Sequence, residues 1–310
     1  MRSRPGFVGS PGTGIVDGRL PTCEDERMSS HWTEDPQPLL RVHEGFRLAD
    51  VDPEATPGYE GDKKAGQKEL AATAAQLDDL QERLFAAHHD AETGPAVLLV
   101  LQAMDTAGKG GIVRHVVGSV DPQGVELAAF KKPTDEELEH DFLWRIRPHV
   151  PGPGMIGVFD RSHYEDVLIG KVRELADAEE IERRYQAIND FEAELAAAGV
   201  IVIKVMLHIS PDEQRDRLLE RLDRPDKYWK YNTGDVDERL LWPEYMQAYQ
   251  DVFDRTSTEV APWHVVPANR KWYARLAVQR LILDALERID PQWPPADFDI
   301  EVEKKRLLAS

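Results

Sequence analysis

Two acids and two cations, Asp105 with Lys109 and Asp160 with Arg161, are the residues of this chain best suited to chemistry. The chemistry they suit is phosphoryl transfer. Such transfer asks a protein for cations that neutralise the moving group, and for carboxylates that hold a divalent metal beside it. Lys109 lies in a turn of small residues, Asp105-Thr106-Ala107-Gly108-Lys109-Gly110-Gly111. Glycines let backbone N–H groups close on phosphate oxygens, a helix start favours negative charge, and the lysine adds a point charge. Ala107, Gly108, Gly110 and Gly111 are therefore the phosphate-loop candidates. The turn departs from GxxxxGK[ST], because Ala103 replaces the first glycine and Gly110 the metal-binding hydroxyl. Asp105 is the substitute ligand for Mg2+, and Asp160, ending an apolar run, is the second. Arg161 follows as a charge clamp.

Further cations cluster elsewhere. Arg215, Arg217, Arg221, Arg224, Lys227 and Lys230 fall close together, interleaved with Asp216, Glu220, Asp223 and Asp226. After a buried strand, such a stretch reads as a basic lid over about residues 210–240, which closes on phosphates and excludes water. An ordinary salt-bridged surface helix would have the same composition. Lys131 and Lys132 end another strand, at the edge where α/β proteins bind ligands, and Arg145 is a further possible phosphate contact. His163 has no partner visible in the sequence, and a polar structural role suits it better than metal ligation.

The elements that must position these groups alternate. Ala96–Gln102 is a continuous apolar run, as in a strand buried on both faces. Further strands are predicted at 125–130, 155–160, 200–207 and 263–267. Helices are predicted at 64–89, with Leu70, Leu77, Leu80 and Leu84 as its stripe, and at 135–147, capped by Thr134 and Glu137. Others follow at 178–198, ended by Gly199, from Ser210, at 242–256 and at 271–289. Strands alternating with helices predict an α/β fold: a doubly wound, five-stranded parallel sheet flanked by helices. The expected layout is a disordered extension over 1–38, rich in Gly, Pro and Ser, one domain over 39–295, and a tail over 296–310. Met28 is an alternative start.

The chain has 310 residues, 38 basic and 57 acidic, for a net charge of −19. That argues against nucleic acid or an acidic membrane as partner, so any polyanion must be met by local cations. Cys23 is the single cysteine, which leaves no disulfide framework. No apolar run approaches the length of a membrane span, and no signal peptide is evident. A soluble, cytoplasmic protein is expected.

With these segments in order, the chain resembles polyphosphate kinase family 2, over about Phe46 to Ile289. Asp105 to Lys109 matches its Walker A form, Phe159-Asp160-Arg161-Ser162-His163-Tyr164-Glu165-Asp166-Val167-Leu168 its Walker B segment, and Arg224-Pro225-Asp226-Lys227-Tyr228-Trp229-Lys230 its lid signature. Gly58 to Lys63, Lys132 to Thr134 and His140 to Arg145 also look like the family. The tail Ser162 to Leu168 resembles the subgroup accepting both AMP and ADP. That subgroup often has Asn where Asp160 stands and Asp where Gly110 stands, so one possible metal ligand is added and one removed.

The resemblance implies a P-loop kinase fold, reversible transfer of the terminal phosphoryl of inorganic polyphosphate to AMP or ADP, giving ADP or ATP, and a homo-oligomer, commonly a dimer or tetramer. It gives the cations Arg217, Arg221, Arg224, Lys227 and Lys230 the polyphosphate chain to hold. The acceptor is an ionised phosphate oxygen, so positioning and charge neutralisation should dominate over general-base catalysis. Two other readings stay open: an ATP-dependent nucleoside monophosphate kinase, and a non-catalytic module that binds polyphosphate or nucleotide.

Overall fold

The seven residues of β1 (Ala96–Gln102) are all buried, because the strand lies at the centre of the sheet with helices on both faces. The computed structural model describes residues 31–310. The expectations for residues 1–30, Cys23 and Met28 among them, lie outside the described residues. The other strands are β2 (Val125–Ala129), β3 (Ile156–Asp160), β4 (Val200–His208) and β5 (Trp263–Pro267). All neighbours pair in parallel, in the order β2-β3-β1-β4-β5.

The helices are α1 (Pro36–Leu40), α2 (Lys63–His88), α3 (Lys109–His115), α4 (Asp135–Leu138), α5 (Glu165–Val172) and α6 (Ala178–Ala197). Then come α7 (Pro211–Asp223), α8 (Gly234–Leu240), α9 (Trp242–Thr256), α10 (Lys271–Ile289) and α11 (Ile300–Leu308).

Side chains alternate across a strand, so β1 feeds two cores. Leu98 and Val100 pack with Phe159, Ile188 of α6, Val252 of α9 and Trp263. Val97, Leu99 and Leu101 pack on the opposite face with Leu77 and Leu84 of α2, Ile112 of α3 and Leu281 of α10. The sheet is therefore doubly wound, as expected. Truncating a side chain such as Leu99, fully buried here, would cost about 2–5 kcal/mol. Between β1 and β3 the chain reverses its direction of winding. That places a crevice at their carboxyl ends, where open α/β sheets bind ligands.

Two expectations need correction. Residues 32–38, expected to belong to a disordered extension, take part in the fold: Trp32 bridges to Tyr59, Asp35 caps α1, and Pro36 is buried. The helix over 135–147 stops at Leu138. Thr134 and Glu137 form their capping box, but Asp141 Oδ1 then accepts from Leu143 N at 3.0 Å and turns the chain. Phe142, Leu143 and Ile146 are buried all the same, so the apolar signal was one of burial and not of helix. Beyond Pro295, α11 carries no buried residue.

Candidate active site

At the carboxyl end of β1 the chain needs unusual backbone to turn into α3. Thr106 adopts φ +68° and Gly108 φ +126°, and Gly111 N and Ile112 N then donate to Gly108 O as α3 begins. A side chain at Gly108 would be strained by that φ alone, although no atom crowds the position. Lys109 folds back over the loop, its Nζ 3.3 Å from Ala103 O. The Thr106 hydroxyl is buried with no protein partner.

β3 ends beside this loop. Leu101 pairs with Asp160, and Arg161, at φ +66°, donates its N–H to Leu101 O at 3.1 Å. The Arg161 guanidinium lies 3.3 Å from Asp105 Oδ1. Burial acts to lower the Arg161 pKa, yet Glu165, Asp105 and Asp160 together raise it. The four residues named first in the sequence thus share one place.

They line a cavity of about 770 Å³. Ala107, Gly108, Gly110, Gly111 and Lys131 line it too, and from the segment Pro211–Leu240 so do Arg217, Arg221, Arg224, Lys227 and Lys230. Three of the predicted contacts are placed differently. Lys132 is exposed and outside the cavity wall. Arg145 is buried, donates to Lys131 O at 2.9 Å, and sits over the Phe130 ring, so it supports the strand end carrying Lys131.

Arg217 is 5 % exposed, and its guanidinium is already spent. It donates to Thr106 O and Ala107 O at 3.0 and 2.8 Å, to Ala268 O and Asn269 O at 2.7 and 2.9 Å, and to Glu213 at 2.6 Å. It ties the phosphate loop to α7 and to the end of β5, instead of standing free as a cation of the overhanging segment.

Of the remaining cations of that segment, Arg221, Arg224 and Lys227 face its own acids, and the Lys230 ammonium lies over the Trp229 ring. Arg224 meets Glu220 and Asp226 at 3.1 and 2.9 Å, and Lys227 meets Asp226 at 3.4 Å. Arg221 donates to Lys230 O at 2.8 Å and faces Asp235 at 3.4 Å.

Several site residues escaped the sequence reading. Arg114, His115, Lys271 and Arg275 line the same cavity. Burial, with Arg275 and Arg114 next, lowers the His115 pKa; burial and then Arg217 lower that of Lys271. Arg114, Lys271 and Arg275 thus bring three more cationic side chains to the cavity, while His115 is held toward its neutral form. The signal was available: Arg114 and His115 follow the loop directly, and Lys271 and Arg275 lie four apart on one helix face. Glu165 was missed as well. Burial raises its pKa against the pull of Arg161 and Lys109, and the Gln102 amide, oriented to donate, meets Glu165 Oε1 at 2.9 Å while accepting from Ser162 N.

His163 has the structural place expected of it. It is buried beneath the site, 3.5 Å from Glu192, which Lys204 pairs at 2.6 Å. Among the described residues no group of three or more His, Cys, Asp or Glu could hold a metal by itself. No helix among them is long and apolar enough to cross a membrane.

Known proteins resemble this chain along most of its length. An AMP/ADP-polyphosphate phosphotransferase of Meiothermus ruber is 45% identical over 249 residues, covering 80% of this chain and 91% of that protein. An ADP-polyphosphate phosphotransferase of Rhodopseudomonas palustris is 40% identical over 269 residues, covering 82% and 91%. The crystal structure of polyphosphate kinase 2 from Arthrobacter aurescens TC1 superposes with a TM-score of 0.87 at 59% identity, covering 90% of this chain and 98% of that one. The family model described as Polyphosphate kinase 2 matches residues 60–294, from the arm before α2 to the end of the α/β domain, and the chain therefore belongs to the polyphosphate kinase 2 family.

Proposed function

We propose that this protein transfers the terminal phosphoryl group of inorganic polyphosphate to AMP and ADP, reversibly, in the cytoplasm and as a homo-oligomer. One observation carries the reaction: Lys109, Arg161, Asp105 and Asp160 meet at the carboxyl ends of β1 and β3, in a cavity whose other wall is a row of cations. The names of the relatives give the same donor and acceptors.

The residues present fit Mg2+. Asp105 and Asp160 are two half-buried carboxylates on one cavity, with the unpartnered Thr106 hydroxyl beside them. Magnesium is commonly held by one or two carboxylates together with substrate phosphates and waters, so a larger protein cage is not needed. When bound, the metal would supply charge neutralisation between the donor and acceptor phosphates.

The chain's own residues do the rest. The acceptor oxygen of AMP or ADP is already ionised near neutral pH, so no base has to take a proton. As its bond to the donor's terminal phosphorus forms, the bridging P–O bond breaks, and polyphosphate leaves one unit shorter. Lys109 and Arg161 neutralise the moving phosphoryl group, and the loop N–H groups of Gly108, Lys109 and Gly110 fix its oxygens. Arg221, Arg224, Lys227 and Lys230 hold the polyphosphate chain, with Lys271, Arg275 and Arg114 along the opposite side. The segment Pro211–Leu240 acts as a lid that excludes water, so that transfer outruns hydrolysis.

Phosphorus NMR of the pure protein with Mg2+, long-chain polyphosphate and either AMP or ADP tests this reading. ADP should appear from AMP and ATP from ADP, with no ATP supplied. Transfer that occurs only when ATP is the donor would overturn it.

A further inference from the structure

Asp235 is out of place in a cavity built for polyanions. It sits in the first turn of α8, in the overhanging segment, and lines the same cavity as Asp105 and Asp160. It is 9 % exposed, yet poorly held. Its Oδ2 takes two long contacts, from Arg221 Nη1 and Asn232 N, each at 3.4 Å. Glu220, the other acid that this segment brings to the cavity, has a nearer cation in Arg224, at 3.1 Å.

The groups that act on Asp235 come from both walls. From its own segment they are Arg221 and the Asn232 N–H; from the sheet side they are Asp105 and Arg161. Burial first, and the charge of Asp105 next, hold its carboxyl above the usual range. Asp235 from the overhanging segment and Asp105 from the phosphate loop thus line one cavity, with like charges. Their repulsion grows as the gap narrows, since it varies inversely with distance and the surroundings are partly desolvated. A divalent cation at Asp105 reverses the sign of that interaction.

We infer that Asp235 is a positioning residue that makes closure of the Pro211–Leu240 lid depend on the divalent metal: without metal its charge holds α8 away from the phosphate loop, and with metal at Asp105 it draws α8 in. The inference rests on the reading of this cavity as a metal-dependent phosphoryl-transfer site. It gives the lid a reason to stay open on an unloaded site, where closure would serve nothing.

Backbone hydrogen exchange of residues 224–240, with and without Mg2+ and in the absence of nucleotide, tests it on the intact chain. In the parent protein Mg2+ should slow exchange in α8 by about five-fold or more, the lower range of ordinary coupling between sites. In Asp235→Asn, which keeps the shape and removes the charge, α8 should already be protected without Mg2+, and adding the metal should change little. Asp235→Glu should retain the metal dependence. Equal losses of protection with and without Mg2+ in Asp235→Asn would make the residue a mere anchor for Arg221 and overturn the inference. So would a parent protein whose lid ignores Mg2+ while its transfer from polyphosphate requires the metal, an outcome that leaves the proposed reaction standing. Transfer from ATP alone would instead remove the reaction.

Discussion

On the sheet side of the cavity the main chain that carries the charged groups is locked by buried hydrogen bonds, whereas in the segment Pro211–Leu240 the charged groups are held mostly by one another. Arg161 is fixed by its N–H on Leu101 O, and the phosphate loop by the Arg217 guanidinium on two of its carbonyls. Those partners are buried and cannot be exchanged for water or substrate without leaving carbonyls unpaired. Arg224 and Lys227, by contrast, pair with Glu220 and Asp226 at half-exposed positions, where ion pairs contribute little. The difference suits the two walls to two tasks. A preorganised wall stabilises charge at the moment of transfer, and a loosely paired wall can trade carboxylates for the phosphates of a long, uniform chain.

The largest effect should come from the preorganised wall. Lys109→Ala removes the one loop cation that reaches across the phosphate site, and it breaks only a single 3.3 Å hydrogen bond to Ala103 O. Phosphoryl-transfer kcat should fall about 10²–10³-fold, the cost of deleting one preorganised charge donor. The melting temperature should hardly change. Asp105→Asn should lower kcat and also weaken the response to Mg2+. Near-parent rates in either variant, followed by phosphorus NMR, would remove the sheet-side wall from the chemistry.

Arg217 decides which wall it belongs to. Arg217→Met should strand four backbone carbonyls and leave Glu213 unpaired, at a cost of about 3–5 kcal/mol in stability. Loss of kcat should accompany the lower melting temperature, because the loop at Thr106 and Ala107 loses its tie. Arg217→Lys should rescue little, since an ammonium cannot span carbonyls on both sides. A variant with normal stability and only a raised KM for polyphosphate would return Arg217 to the lid cations.

Most of the frame was legible because it is written in apolar runs. The strand Trp263–Pro267 and the helices Trp242–Thr256 and Lys271–Ile289 fall where the pattern places them. The stretch after Leu138 was not legible, because Asp141 bonding to Leu143 N competes with helix through one local side chain. Asp105, Lys109, Asp160 and Arg161 could be read from their positions at strand ends. Arg217 could not, for its partners are backbone carbonyls of loops far away in sequence, and a carbonyl has no residue type. Lys271 and Arg275 were hidden differently: the helix that carries them is apolar on most of its surface, and its core signal masked the two cations turned to the cavity.

The smallest effect should come from the loosely paired wall, and it should have a different form. Arg224 lies on the cavity, but its present partners, Glu220 and Asp226, belong to its own segment. Binding polyphosphate then means exchanging two carboxylates for phosphate oxygens, a trade of like for like whose net gain is small. Arg224→Ala should therefore raise KM for polyphosphate several-fold with kcat nearly intact, the sign of lost uniform binding. The melting temperature should not move. The effect should shrink as salt is raised, because an exposed charge is screened beyond about 8 Å at physiological ionic strength. A fall in kcat as large as that of Lys109→Ala would mean that Arg224 acts on the moving phosphoryl group itself, and the two walls would then share one task.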